Sequence, residues 1–105
     1  MGEKVAIGSL EDFESGAASK VELVGHRIAV VRIGDDFYAL GDRCSHADYS
    51  LSEGEVYVED RELECWKHGS TFSIDTGKPT TLPATRAVPV YKVTVEDGKV
   101  WVQLP

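Results

Sequence analysis

An all-β fold, an antiparallel β-sandwich or small barrel, is predicted for this 105-residue chain by three observations. Short β-branched runs recur along it, turn residues part those runs at close intervals, and helical periodicity is nearly absent. The first candidate element is "SLEDFESG", residues 9–16. Ser9 can cap a helix there, Asp12 stands three residues on, and Gly16 can end it, so a turn or two is expected. "KVELV" (20–24) and "RIAVVRI" (27–33) are parted by Gly25-His26, which predicts a hairpin with His26 in an exposed turn. "RIAVVRI" then passes through Asp35-Asp36 into "FYAL" (37–40), a second hairpin. "EVYVED" and "RELEC" form a third, turning near Glu59-Asp60. "VPVYKVTVED" and "GKVWVQL" form a fourth, with Asp97-Gly98 as a strong turn signal. Tyr91, Val93 and Val95 alternate there with Lys92, Thr94 and Glu96, so one face packs on a core and the other meets water. Trp101, between Val100 and Val102, belongs to core or edge packing.

The length fits one domain, residues 1–105. Residues 42 to about 86 read differently from the rest. Gly77, Pro79 and Pro83 in "DTGKPTTLPATR" interrupt strand pairing, so loops and short strands are expected as a subdomain inserted in the β scaffold. Loops held by a rigid scaffold are where ligands sit.

Composition narrows the function. Eighteen acids against eleven bases give a net charge of −7, which disfavours nucleic acid and anionic membranes. No apolar run approaches the ~20 residues of a membrane span, and the start lacks the basic and apolar regions of a signal peptide. A cytoplasmic protein is expected.

The chain has two cysteines and three histidines. Both cysteines and two histidines fall in two short motifs, Cys44-x-His46 in "RCSHADYS" and Cys65-x-x-His68 in "ECWKHGS". A disulfide is opposed by the reducing compartment, and a lone buried Cys would not be matched by a nearby His each time. Each loop can instead turn two side chains toward one point. A tetrahedral zinc accepts two thiolates and two imidazoles, and so does a two-iron cluster with the thiolates on one iron and the imidazoles on the other. The mixed Cys/His order in each loop counts against a zinc finger, but ligand chemistry alone does not choose.

These motifs resemble the ligand signature of Rieske proteins, with Gly69, Phe72, Gly77 and Pro83 fitting the downstream pattern. The resemblance runs from "FYALGDRCSH" to the C-terminal hairpin. It is nearest to the small Rieske-type ferredoxins that serve multicomponent non-haem iron oxygenases. It implies a Rieske fold with a cluster-binding subdomain and one [2Fe-2S] cluster. Cys44 and Cys65 would sit on the inner iron and His46 and His68 on the outer one. It implies no catalytic residue and no small-molecule substrate. The protein would be a monomeric one-electron carrier between a flavin-containing ferredoxin reductase and a terminal aromatic-ring-hydroxylating dioxygenase, in aromatic hydrocarbon catabolism. Other readings are an electron donor for another process such as iron–sulfur cluster assembly, a zinc-stabilised interaction module, and a nitrite reductase subunit of the same fold.

The flanks refine that expectation. Tyr49 and Lys67 stand where high-potential members carry a disulfide. Ser70 matches a serine that donates to sulfur, whereas Phe72 replaces a tyrosine that does the same. Fewer donors to sulfur leave the reduced state less stabilised, so a potential toward the bottom of the Rieske range of roughly −150 to +300 mV is expected. Trp66, Tyr49, Leu51 and Pro83 are candidates to cover the cluster, Pro83 through a proline loop on a third side. Asp42, Asp48, Glu53, Glu55 and Glu64 are candidates for an acidic collar that steers docking.

Overall fold

The computed structural model describes residues 4–23, 25–43, 50–65, 69–81 and 86–104. Among these, nine strands form two sheets. β1 (Lys4–Ser9), β2 (Ala17–Leu23), β3 (His26–Ile33), β4 (Asp36–Gly41), β8 (Val90–Glu96) and β9 (Lys99–Gln103) build the long sheet, in the order β1-β9-β8-β4-β3-β2. β5 (Val56–Tyr57), β6 (Glu62–Glu64) and β7 (Thr71–Ser73) build a short sheet in chain order. Every strand pairing is antiparallel, and the long sheet curls into a half-barrel, as the all-β expectation requires.

The turn chemistry sets the registers. Asp97 and Gly98 have φ of 53° and 75°, the paired left-handed conformation of a two-residue hairpin turn, and Glu96 pairs with Lys99 across it. The β3–β4 turn falls on Gly34-Asp35, one residue earlier than expected, because Asp36 already pairs with Ile33. The β5–β6 strands are shorter than the sequence suggests. Arg61 adopts a φ of 53°, so the turn extends from Val58 to Arg61 and leaves Val58 exposed. The helix signal yields a single 3-10 turn, Leu10–Asp12, with the Ser9 amide donating to Asp12 Oδ2 at 2.9 Å; it ends at Phe13 rather than Gly16. β1 carried no strong sequence signal and gains its strand from pairing with β9.

β3 explains why residues 28–31 of "RIAVVRI" are apolar without a break. Ile28 and Val30 enter one core with Phe13, Ala39, Val100 and Val102. Ala29 and Val31 point the other way, into a second core with Leu40, Leu51, Leu63, Cys65, Phe72, Ile74 and Val88. Strand alternation thus feeds both faces, and both are buried. Tyr91 and Val93 pack on the first core as expected, but Val95 is 42% exposed because it lies at the free tip of its hairpin. Trp101 is half-buried, with the Lys4 ammonium 5.3 Å from its ring centroid.

Candidate metal centre

The short sheet lies in the chain between β4 and β8, which are themselves paired through Ala39↔Tyr91 and Leu40↔Val90. The long sheet therefore closes across the insertion and presents it from one face. Its second core is where the two sheets meet, and Cys65 is part of it, with no exposed surface.

Of the four candidate ligands, Cys65 lies within the described residues; Cys44, His46 and His68 lie outside them, as do Tyr49, Trp66, Lys67 and Pro83. Accordingly no group of three metal-ligating side chains is gathered among the described residues. What the structure shows is how the segments that carry these residues are rooted. Residues 44–49 are closed at their base by an antiparallel bridge between Arg43 and Ser50. Residues 66–68 are closed by two backbone bonds, Cys65 N–H to the Ser70 carbonyl at 2.6 Å and Gly69 N–H to the Cys65 carbonyl at 2.9 Å. The described residues on either side of each Cys/His motif are thus drawn together. The two roots are joined, because the Glu64 amide donates to the Glu55 carbonyl at 2.9 Å and Leu51 shares the core with Cys65.

Asp42 departs from its expected place in an exposed collar. It is fully buried and serves as a post for the first loop. Its amide donates to the Arg27 carbonyl at 3.0 Å, its carbonyl accepts from Leu51 N–H at 2.6 Å, and Oδ1 accepts from Ser52 N–H at 2.8 Å. Asp48 lies outside the described residues, while Glu53 and Glu55 are exposed and Glu64 is half-buried. Glu55 and Glu64 flank the Tyr57 hydroxyl; burial and hydrogen bonding to these carboxylates push its pKa up to about 12. His26 is not a free turn residue either. It opens β3 and meets Tyr91 edge to face, ring centroids 6.0 Å apart, in a cleft of about 510 Å3 that Arg43 also lines.

Ser70 and Phe72 are both fully buried behind the second loop. Gly77 has a φ of +75°, and a Cβ there would lie 2.2 Å from the Val88 carbonyl oxygen. Its carbonyl accepts from Val88 N–H at 2.8 Å and its amide donates to Ser73 at 2.7 Å, so it ties the short sheet to the chain leading into β8. A group of three threonine hydroxyls, Thr71, Thr80 and Thr81, sits beside the second loop. No periodicity or motif in the sequence pointed to it.

A two-sheet β scaffold from which two Cys/His segments set out, at Arg43–Ser50 and Cys65–Gly69, is the kind of frame a cluster-carrying metalloprotein needs. The chain matches the Rieske [2Fe-2S] domain over residues 3–92 and belongs to that family, so its cofactor is one Rieske-type [2Fe-2S] cluster. It is 41% identical over 95 residues to the 3-phenylpropionate/cinnamic acid dioxygenase ferredoxin subunit of Escherichia coli strain K12, covering 90% of this chain and 87% of the relative. The ferredoxin of carbazole 1,9a-dioxygenase from Nocardioides aromaticivorans IC177 superposes with a TM-score of 0.92 at 34% identity, over 94% of this chain and 95% of that one. A ferredoxin solved in complex with the carbazole 1,9a-dioxygenase oxygenase superposes with a TM-score of 0.88 at 38% identity, over 95% and 92%.

Proposed function

We propose that Cys44, His46, Cys65 and His68 hold the cluster, the cysteines on the inner iron and the histidines on the outer one. We further infer that the protein carries single electrons from a flavin-containing ferredoxin reductase to a terminal aromatic-ring-hydroxylating dioxygenase. The observation that carries the ligand assignment is the pair of segments drawn together at their ends, rooted against one another on Leu51–Glu55 and Glu64–Cys65. The donor set fits the group, since soft thiolates and imidazoles are what a two-iron Rieske centre takes. Cys65 offers its sulfur from inside an apolar core rather than from water.

The cluster supplies a one-electron couple; the chain's own residues set where it sits and what surrounds it. Leu51, Leu63, Phe72 and Ile74 keep water from the Cys65 side, and a dry, apolar shell with few hydrogen-bond donors favours a low potential. Residues 42–86 act as the cluster-binding subdomain in this reading. Glu53, Glu55 and Glu64 form the surviving part of the acidic rim and face a basic partner surface. No described helix is long and apolar enough to cross a membrane, and the place of work is the cytoplasm. Family membership removes the zinc module, and the dioxygenase ferredoxin relatives disfavour cluster assembly and nitrite reduction as the role.

The purified protein should be red-brown, and its dithionite-reduced form should give an electron paramagnetic resonance signal with average g below 2. A colourless protein with one bound zinc would overturn the assignment. Reconstituted turnover with a reductase and an aromatic-ring dioxygenase tests the carrier role, and no stimulation of product formation would refute it.

A further inference from the structure

Arg61 ends the turn between β5 and β6 in a conformation that its own backbone disfavours. Its φ of 53° lies in the left-handed region, where a Cβ crowds the chain and glycine sits at less cost. A residue held there is fixed by what surrounds it. Three contacts do so. The Arg61 carbonyl accepts from the N–H of Ile74, a fully buried member of the second core, at 3.0 Å. Nη1 donates one proton to the Tyr38 hydroxyl at 2.5 Å and the other to Asp75 Oδ1 at 3.4 Å. Tyr38 belongs to β4 of the long sheet and packs against the second core. Arg61 and Asp75 stand in the two turns at one end of the short sheet, because Glu62 pairs with Ser73 there. Cys65 follows β6 at the opposite end, beyond the Glu64↔Thr71 pair. The start of the Arg61 turn also lies by the long sheet. A Cβ on Gly16, just before β2, would be 3.7 Å from Val58 Cγ2.

We propose that Arg61 is a positioning residue. Its guanidinium latches the far end of the short sheet to β4 through the Tyr38 hydroxyl, and so sets how tightly that sheet closes over the core that holds Cys65. The exposed pair with Asp75 contributes little alone, whereas a charged donor on the Tyr38 hydroxyl is the stronger half. Arg61 and Cys65 are joined by β6 alone, an extended run of about 13 Å, so a shift at one end of the strand reaches the other. Arg61 touches no ligand; it acts through the strand it anchors. The proposal rests on the reading that Cys65 is a cluster ligand.

The sign of the response separates a latch from a turn residue or a distant charge. If Arg61 only filled the turn, Arg61→Gly would relieve the left-handed strain and tighten the short sheet. If it acted only as a positive charge, its loss would lower the midpoint potential. A loosened sheet does the opposite on both counts. It exchanges faster, and water admitted beside Cys65 favours the more negative reduced cluster and raises the potential.

The test uses Arg61→Gly, Tyr38→Phe, which removes one hydroxyl and no charge, and the double variant, all as holoproteins. Hydrogen exchange over residues 61–65 and 71–75, followed by mass spectrometry, should speed on the order of fivefold in Arg61→Gly and in the same direction in Tyr38→Phe. The double variant should be no faster than Arg61→Gly, since both changes remove one contact. The midpoint potential should rise in Tyr38→Phe. Exchange in Arg61→Gly at or below the wild-type rate refutes the latch. So do effects that multiply in the double variant, and a Tyr38→Phe potential that stays or falls. A wild-type protein without the cluster spectrum would instead overturn the ligand reading, and the claim about Cys65 with it. A normal spectrum with unchanged exchange in Arg61→Gly overturns the latch alone.

Discussion

Cys65 combines two properties the proposed site needs, a soft donor atom and a position in a dry core. Cys65→Ser should abolish the visible spectrum while leaving the long sheet folded, which paired visible and far-ultraviolet measurements would check. Phe72 points the same way. It fills the second core with a ring that carries no donor, so Phe72→Tyr should raise the midpoint potential in a redox titration if the new hydroxyl reaches sulfur. The wild-type value should lie below about +150 mV. Tyr57 gives a pH signature. Its pKa is raised from 10.0 to about 12 in the folded chain, so the fold holds that proton more tightly than the unfolded chain does. The resulting stability is fully present below pH 10 and is lost as pH climbs toward 12. Tyr57→Phe should flatten the alkaline limb of a stability-versus-pH curve, and an unchanged limb would exclude Tyr57 as its source.

Among the elements, β3 and the four hairpins were legible because alternation and turn residues act locally. Asp97-Gly98 needs only its own backbone preference to form its turn. β1 was not legible, since its partner β9 is nearly the whole chain away and Lys4 meets Gln103 only in the fold. The two Cys/His loops were legible by residue type, but their pinched roots were not, because those bonds are made by backbone groups that any sequence carries. Asp42 misled for a related reason: an acid reads as surface unless its backbone partners at Arg27 and Leu51 are known. Gly77 is the element-scale point of failure. Gly77→Ala would combine a left-handed φ with a Cβ driven into the Val88 carbonyl, and should cost at least about 2 kcal/mol in urea unfolding.

For the whole molecule, charge decides how partners meet. At a net −7, with Glu53, Glu55 and Glu64 near the proposed ligand loops, association with a basic reductase or oxygenase surface would be steered at long range. Reduction and oxidation rates should therefore fall as ionic strength rises from about 0.01 M to 1 M, a range over which the screening length drops from about 30 to 3 Å. Stopped-flow rates that stay flat across it would leave the acids as solubilising groups only.

The double-sided burial of β3 carries a consequence for protein engineering. In most half-buried strands a slip of one residue is self-correcting, because it turns apolar side chains out to water. Here Ile28 and Val30 would merely exchange places with Ala29 and Val31, apolar for apolar. Fidelity of alignment therefore falls to the Gly34-Asp35 turn, which fixes Ile33 opposite Asp36 and, six residues later, Asp42 beside Arg27. One extra residue inserted in that turn should yield a chain that still collapses and keeps its strand content. Its Asp42 post would be out of step with Leu51 and Ser52, and the preparation would be well folded and colourless.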